Sequence, residues 1–167
     1  MAKLKGVLAA NREAVDTLLA AAENAESVFT TPRAPGKWSP SQVVEHVART
    51  LDESARMVTG EQVRFPRVPA LFRPVVRRVF FNRVVRTGSF PKAKTRKPFD
   101  PESGPATPAA ARTRLNEAFG RFREACQTDA PVDGKVRSET FGAVPLADYV
   151  RFVAAHTRHH TKQIPVD

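Results

Sequence analysis

The sequence contains a single cysteine and no long apolar run. Cys126 is the only cysteine among 167 residues, so an internal disulfide is excluded and a reducing cytoplasm is the expected location. No apolar run approaches the roughly eighteen residues that a membrane-spanning helix needs. Asn11, Arg12 and Glu13 interrupt the apolar stretch near the N-terminus, which argues against a secretory signal. The hydrophobic content of 41 % suits one domain, residues 1–167, with one packed core.

Acidic residues are absent between Gln62 and Lys97, although the whole chain contains 17 of them. The excess positive charge, +10 overall, is therefore concentrated in one basic segment. Three interpretations of this segment stay open. It forms a solvated surface, as charge runs usually do; it binds an anionic substrate or thiol cofactor; or it contacts nucleic acid or an anionic membrane surface. Arg73, Arg77 and Arg78 are the anion-binding candidates, because they share one side of a candidate helix.

Convincing strand patterns are also lacking, and helical periodicity dominates. Apolar residues recur at spacings of three and four, which predicts long helices over about 3–25, 40–59, 108–126 and 146–163. The second helix has the clearest start. Ser39 is a candidate N-cap, Pro40 suits the first helical position and Gln42 completes a capping box, while Gly60 suits the end of the helix.

The middle of the chain is less regular. Residues 71–86 form a candidate short helix with an apolar side that includes Phe72, Val75 and Val79. Residues 89–105 contain four prolines and are predicted to be an irregular connection, and residues 129–141 a loop or a short hairpin. The predicted fold class is therefore all-α, a four-helix bundle in which residues 61–106 form a long basic crossover insert between the second and third bundle helices.

Histidine is scarce, and three of the four histidines are spaced as metal ligands. His156 and His160 lie one helical turn apart on the same face, so both imidazoles can reach one ion. His46, eight residues after the single tryptophan, Trp38, would provide a third ligand from another helix. Three ligands with an open position are typical of catalytic metal sites. In the alternative interpretation the pair packs in the core, and His46, which lies beside the main apolar stripe of its helix, is a surface histidine.

Other side chains are candidates to support such a site. Gln163 and Gln42 each lie about one turn from one of the three histidines and could hydrogen-bond a ligand, although a structural explanation is preferred for both. His159 flanks the pair and either hydrogen-bonds a ligand, faces solvent or takes the place of one of the three proposed ligands. Glu53 is the nearest acidic candidate for a general base, but a solvated surface position is the expected one. Trp38 is expected to anchor the core.

Two segments resemble the DinB/YfiT-like superfamily. Residues 38–47, Trp-Ser-Pro-Ser-Gln-Val-Val-Glu-His-Val, resemble the helix start and first metal histidine of that family. Residues 156–164 are similar to its closing helix with a histidine pair, and residues 141–146 to the segment that leads into it. The chain departs from the family at residues 139–140, Glu-Thr, where a histidine–proline pair is common.

The resemblance implies an up-down-down-up bundle, often a homodimer, in which His46, His156 and His160 bind a divalent metal, zinc or nickel. It also implies a thiol-dependent transferase or isomerase that uses a low-molecular-weight thiol and acts on a small molecule. A metal-bound hydroxide would instead make the protein a hydrolase. Three neutral imidazoles leave the full charge of the ion, which favours hydroxide or thiolate as the fourth ligand. The alternative hypothesis is a non-enzymatic protein whose basic segment binds nucleic acid or an anionic surface and whose histidines are structural. A third is a metal that only stabilises the bundle.

Overall fold

The computed structural model describes residues 2–91 and 97–165. These residues are mostly helical, with one small antiparallel sheet. The α-helices and strands, in chain order, are α1 Ala2–Asn24, α2 Pro40–Thr59, α3 Arg73–Val76, α4 Asn82–Thr87, α5 Pro108–Thr128, β1 Lys135–Ser138, β2 Gly142–Pro145 and α6 Leu146–Thr161. Within the described ranges, no helix combines the length and apolarity needed to cross a membrane.

The four longest helices, α1, α2, α5 and α6, lie close to their predicted ranges. Helix α2 packs on α5 and α1 packs on α6, while α1 also contacts α5 and α2 contacts α6. Their inner faces form most of the hydrophobic core, with fully buried side chains such as Leu18, Leu51, Leu115 and Phe122. Burial of this apolar surface is the main driving force for folding. It also holds α2 and α6, which carry the predicted metal ligands, side by side.

Helix α2 begins and ends at the predicted signals. The Ser39 hydroxyl accepts a hydrogen bond from the Gln42 amide at 3.3 Å, and the Gln42 side chain accepts one from the Ser39 amide at 3.0 Å. Pro40 occupies the first turn, where its missing amide proton is not needed. Gly60 follows the helix with φ of 83°, a left-handed conformation that favours glycine. The predicted capping box and the C-terminal glycine are both confirmed.

The middle helical segment, residues 70–87, is longer and less regular than the predicted helix. It begins with a 3₁₀ turn at Ala70–Phe72, continues as α3, passes through a π-helical turn at Arg77–Phe81 and ends as α4. Its apolar residues do not form one side as predicted. Phe81 and Val84 are buried against the rest of the chain, but Leu71 and the predicted inward residues Phe72, Val75 and Val79 are between 56 % and 81 % exposed. The segment contains more apolar residues than one buried stripe accommodates.

A short β-hairpin corrects the expectation that the chain lacks strands. Strands β1 and β2 pair antiparallel, with Lys135 opposite Pro145 and Ser138 opposite Gly142. Of the two predictions for residues 129–141, a loop or a short hairpin, the hairpin is the one that the structure confirms. Each strand has only four residues, too few for a clear alternation of apolar and polar side chains. Val144 is buried in β2, and the hairpin leads directly into α6.

Residues 97–105, here called the strap, run across the start of α2. Hydrogen bonds join the two elements: Trp38 Nε1 donates to Asp100 at 3.0 Å, Gln42 Nε2 to the Pro101 carbonyl at 3.0 Å, and the Ser41 hydroxyl to the Pro105 carbonyl at 2.6 Å. The strap approaches Ser41 so closely that a Cβ at Gly104 would overlap the Ser41 carbonyl and hydroxyl oxygens. This part of the predicted irregular connection is thus fixed against α2.

Candidate metal centre

Three histidine side chains from two helices converge on one point. The Nε2 atom of His156 lies 3.3 Å from that of His46 and 3.1 Å from that of His160. His46 comes from α2, whereas His156 and His160 come from successive turns of α6. The ligand atoms of all three lie within 4.8 Å of one another. The structure therefore brings together the three residues that the sequence pattern selected.

His46 is oriented by the strap and by Trp38. Its Nδ1 lies 2.7 Å from the carbonyl oxygen of Phe99, which can only accept a hydrogen bond, so Nδ1 carries the proton and Nε2 keeps its lone pair. The indole of Trp38 lies over the imidazole, with ring centroids 4.7 Å apart. His46 is 3 % exposed, which contradicts the alternative of a surface histidine. Trp38 itself is half-buried: it packs against the hydrophobic core, as predicted, and it also lies close to His46 and His160.

His160 is oriented by a residue one turn further along. Its Nδ1 lies 3.1 Å from the side-chain oxygen of Gln163. As an amide oxygen accepts but does not donate, this contact also places the proton on Nδ1 and leaves Nε2 free to bind a cation. Gln163 thus makes the ligand contact that the sequence suggested for it. Gln42 does not, because its side chain is occupied by the capping box and by carbonyls of the strap.

His156 lies between the other two and is held differently. Its Nε2 is the atom close to both neighbours, while its Nδ1 is buried without a hydrogen-bond partner in the described part of the chain. The rest of the ring faces the adjoining cavity, where Phe90 meets it edge-on at 5.4 Å between centroids. His156 is therefore the candidate ligand whose position depends most on its neighbours, because no second hydrogen bond within the described residues fixes its orientation.

Burial keeps all three imidazoles neutral. Removal from water lowers the pKa of His46 to about 4 and that of His160 to about 3, against an ordinary value near 6.5. Burial also lowers the pKa of His156 well below its usual range, and the nearby His160 and His46 lower it further. Neutral imidazole is the form that binds metals. Protons therefore compete weakly for the three nitrogens at neutral pH.

The geometry fits one divalent ion. Two nitrogens bound to the same tetrahedral zinc at about 2.0–2.1 Å are separated by about 3.3 Å, close to the separations of 3.1 and 3.3 Å observed here. Because Nδ1 is protonated on His46 and His160, their Nε2 atoms carry lone pairs, and both lone pairs face Nε2 of His156. A cation between the three nitrogens would bind these lone pairs and relieve their repulsion. Acceptors on the far ring nitrogens, such as Phe99 and Gln163, are typical partners of metal-bound histidines.

An open cavity of about 430 Å³ adjoins the histidines. Its walls come from α2, α6, the hairpin, the strap and the middle helical segment. Much of the lining is aromatic: Phe65, Phe80, Phe90, Phe99, Phe141, Tyr149 and Phe152. Among the described residues, no Asp, Glu, Lys or Arg lines this cavity. The site therefore combines three nitrogen ligands at one end with an apolar chamber large enough for a small molecule.

Comparison with known families agrees with the sequence motifs. A profile of the DinB superfamily matches residues 7–164, a range that contains all three histidines. The chain belongs to the DinB superfamily. No curated protein and no solved structure matches the chain significantly. DinB proteins are metal-dependent, which agrees with the convergence of His46, His156 and His160.

The acidic candidate, Glu53, does not line the DinB cavity. It is 4 % exposed, so the expected solvated position is wrong. Its carboxylate accepts hydrogen bonds from the Arg64 amide at 2.7 Å, the Arg64 guanidinium at 3.1 Å and the Arg56 guanidinium at 3.2 Å. Glu53 lines a separate, smaller cavity of about 230 Å³. Its charge is thus compensated by ion pairs that fix the chain after α2.

The basic candidates also lie away from the histidines. Arg73 donates to the Val68 carbonyl at 2.8 Å and Arg77 to the Ala143 carbonyl at 3.0 Å, while Arg78 is exposed. None of the three lines the cavity. His159 does line it, with its ring 5.9 Å from that of Phe90 and 5.1 Å from that of His160. His159 is therefore a wall residue close to the metal centre.

Sequence reasoning missed two features of the site. The first is the Phe99 carbonyl, because a backbone acceptor leaves no side-chain signal in a sequence. The second is the aromatic lining, which is spread over six separate parts of the chain. The sequence does contain a signal for this lining. It has eleven phenylalanines and one tyrosine, and phenylalanine is frequent between positions 65 and 99.

Proposed function

We propose that this chain is a metal-dependent enzyme of the DinB superfamily in which His46, His156 and His160 bind one divalent ion, zinc or nickel. The observation that supports this proposal is the convergence of three neutral Nε2 atoms, with separations of 3.1 and 3.3 Å, at the end of an open cavity. A buried cluster of this kind without a cavity would favour a purely structural ion, because structural sites are closed by protein ligands.

His46, His156 and His160 would hold the ion, which would supply Lewis-acid chemistry for either hydrolysis or the transfer of a thiol to a small substrate. The protein's own contribution is to hold the ligands and to exclude water. Phe99 and Gln163 retain the Nδ1 protons of His46 and His160, so that both ligands keep one tautomer. The aromatic walls enclose the reacting groups in surroundings of low polarity, where electrostatic effects are stronger than in water. Cys126 is not the source of a thiolate, because burial raises its pKa to about 12.

The proposal extends to the architecture. We take α1, α2, α5 and α6 as a four-helix bundle in the up-down-down-up order, with residues 61–106 as its crossover insert and the chain as one DinB-like domain. A homodimer is the proposed assembly.

Metal content is the direct test. The wild-type protein, purified without a histidine tag, is expected to contain close to one equivalent of zinc or nickel by mass spectrometry. His160→Ala removes one of three ligands and is expected to lose the metal and any thiol-transfer or ester-hydrolysis activity. His159→Ala is the matched control, since it removes an adjacent imidazole that lies outside the convergence point and is expected to retain the metal.

Two results would contradict the proposal. One is an active wild-type protein that remains free of metal after incubation with zinc and nickel. The other is equal metal loss in His159→Ala and His160→Ala, which would show that the metal does not bind specifically where His46, His156 and His160 converge. Metal bound in full, without an exchangeable coordination position, would identify a structural ion instead.

A second candidate function is contact with an anionic lipid surface through the middle helical segment. The observation that favours it is an exposed apolar stripe, Leu71, Val75 and Val79, on a segment that also carries the exposed Arg78. Apolar side chains flanked by arginines are typical of helices that lie in a membrane interface. This property favours lipid over nucleic acid, whose backbone is recognised mainly by charge and hydrogen bonds.

Vesicle sedimentation tests this second function. The protein is expected to bind vesicles that contain phosphatidylglycerol but not vesicles of phosphatidylcholine alone, and binding should weaken when Leu71, Val75 and Val79 are replaced by serine. Binding to duplex DNA that the serine substitutions leave unchanged would point to nucleic acid instead. Self-association that the same substitutions abolish would identify the stripe as a contact between copies of the chain.

A further inference from the structure

We propose that the cavity selects an uncharged, largely apolar substrate, with an aromatic or branched aliphatic body and one small head group that reaches the histidines. The head group's contact with a metal rests on the proposed function above, whereas the apolar body is inferred from the cavity walls alone. The inference replaces the anionic substrate that the basic segment suggested.

The walls offer contacts to an apolar ring on several sides. Phe90 packs against Phe152 at 4.8 Å and against Phe80 at 5.6 Å between ring centroids, and Phe80 lies 6.0 Å from Phe152. These three rings come from the middle helical segment, the residues after it and α6. Aromatic side chains favour ring centroids at about 4.5–7 Å, in offset or edge-to-face arrangements. A ring in the cavity would extend this aromatic cluster.

The polar groups of the lining are already hydrogen-bonded to one another. The Tyr149 hydroxyl donates to Ser54 at 2.9 Å, and the Thr50 hydroxyl donates to the His46 carbonyl at 3.0 Å. The Ser138 hydroxyl accepts from the amides of Thr140 and Phe141, both at 3.2 Å. Among the described lining residues, the Ser54 and Ser138 hydroxyls accept these hydrogen bonds and each keeps one proton to donate, so a polar ligand has few donors away from the histidines. A substrate with many hydroxyl or amide groups would lose hydration in the cavity without replacement.

The described lining also offers no charged side chain that could pair with an ionised substrate. A carboxylate or phosphate in the cavity would face phenylalanine rings, because Arg73 and Arg77 are hydrogen-bonded to backbone carbonyls elsewhere and do not line the cavity. An ionised group without a partner in such surroundings is strongly disfavoured. The volume of about 430 Å³ corresponds to a small organic molecule.

A pair of thiols with the same head group tests the substrate class. In protein loaded with cobalt(II), the thiolate-to-cobalt absorption band reports binding of benzyl mercaptan, which has an apolar body, and of 3-mercaptopropionate, which has an anionic one. Benzyl mercaptan is expected to bind at least about tenfold more tightly, which corresponds to burial of part of its ring. Tighter binding of 3-mercaptopropionate would overturn the proposal.

Phe90→Arg sharpens this test because it places a positive charge on the cavity wall. Phe90 is half-buried and lies in a connection outside the hydrophobic core cluster, so the fold should tolerate the change. Benzyl mercaptan is expected to bind more weakly and 3-mercaptopropionate more tightly than in the wild type. Phe72→Arg is the matched control, since Phe72 is 56 % exposed and lies outside the cavity lining. Equal behaviour of the two variants would contradict the assignment of the wall.

A measurement without metal separates this inference from the proposed function. N-phenyl-1-naphthylamine is neutral and fluoresces when it enters an apolar site. Metal-free protein is expected to bind this dye, and Phe90→Arg is expected to weaken the binding while Phe72→Arg leaves it unchanged. If the chain takes up no cobalt but binds the dye in this pattern, the metal proposal fails and the apolar cavity stands. An absence of dye binding would overturn the cavity assignment itself.

Discussion

The two sides of the cavity differ in how strongly the remainder of the molecule constrains them. On one side, α2, α6 and the strap hold the histidines through buried contacts, such as the Phe99 carbonyl on His46. On the other side, the middle helical segment contributes Val76 and Phe80 to the wall but leaves Leu71 exposed on its outer face. Buried elements therefore fix the positions of the three histidines. The shape of the cavity depends instead on the middle helical segment, whose outer face is exposed.

Acidification should have the largest effect on the histidine side. Unfolded histidines bind a proton near pH 6.5, whereas folded His46 does so only near pH 4 and His160 near pH 3. The unfolded state therefore binds more protons between these values, and the metal-free protein should lose stability as the pH falls from about 6.5 toward 3.

Urea unfolding of metal-free protein at several pH values measures this loss, which we expect to reach several kcal/mol. Replacement of His156 and His160 by leucine should flatten the pH dependence between about pH 6.5 and 3. An unchanged slope in that double variant would assign the acid sensitivity to other groups.

His156→Leu should separate metal affinity from stability. The substitution removes a ligand and is expected to abolish tight zinc binding. It also removes a buried Nδ1 without a partner and the opposed Nε2 atoms, so the metal-free protein should become more stable by about 1–3 kcal/mol. Zinc titration and thermal unfolding of both proteins, with and without chelator, measure the two effects. Destabilisation of the metal-free variant would show that packing of the imidazole outweighs its unpaired nitrogen.

Gly104→Ala should test how strongly the strap supports metal binding by the histidines. The new Cβ would overlap backbone and side-chain atoms of Ser41, so the strap must move away from α2. Displacement of the Phe99 carbonyl should weaken zinc binding by about 10- to 100-fold, the usual range for loss of a partner of a metal-bound histidine. Competition with a zinc chelator gives the affinity.

Gly120→Ala in α5 is the matched control for this substitution, because a Cβ at Gly120 has no atom within 4 Å. It should leave zinc affinity unchanged and stabilise the helix by about 0.5–1 kcal/mol. Equal zinc affinity in both alanine variants would show that the position of the strap does not affect zinc binding by the histidines.

Substitutions on the outer face of the middle segment should have the smallest effect. Leu71→Ser and Val75→Ser replace side chains that are 81 % and 59 % exposed, so each is expected to change the free energy of unfolding by less than about 0.5 kcal/mol. Zinc affinity should stay the same. A loss of stability well above this value would show that another surface covers the stripe in solution, and its dependence on protein concentration would identify a second copy of the chain.

Much of the histidine side could be predicted from sequence, because its signals are local. The i,i+4 spacing of His156 and His160 and the Ser39 capping box each depend on a few neighbouring residues. The burial of Glu53 was mispredicted, since its carboxylate is compensated by the amide and guanidinium of Arg64, eleven residues away. A helical wheel carries no information on such partners.

The cavity side was harder to predict for a different reason. The apolar residues of the middle helical segment were assigned to one side, but a π-helical turn interrupts the regular helix and the segment has apolar residues on two faces. Whether Val76 or Val79 faces inward depends on the elements against which the segment packs, namely the hairpin and α6. These are long-range contacts, for which residue spacing gives no indication.

Trp38 gives the metal centre a built-in optical reporter. It is the only tryptophan in the chain, so light absorbed at the red edge of the protein spectrum excites this one indole. Its ring lies 4.7 Å from His46 and 5.9 Å from His160, close enough for the emission to respond to whatever those imidazoles bind. Nickel and cobalt, which have partly filled d shells, should quench the emission, whereas zinc should not. If an ion binds the three histidines, the emission of the unlabelled protein should therefore show which ion is bound, and stopped-flow fluorimetry should show how quickly one ion replaces another.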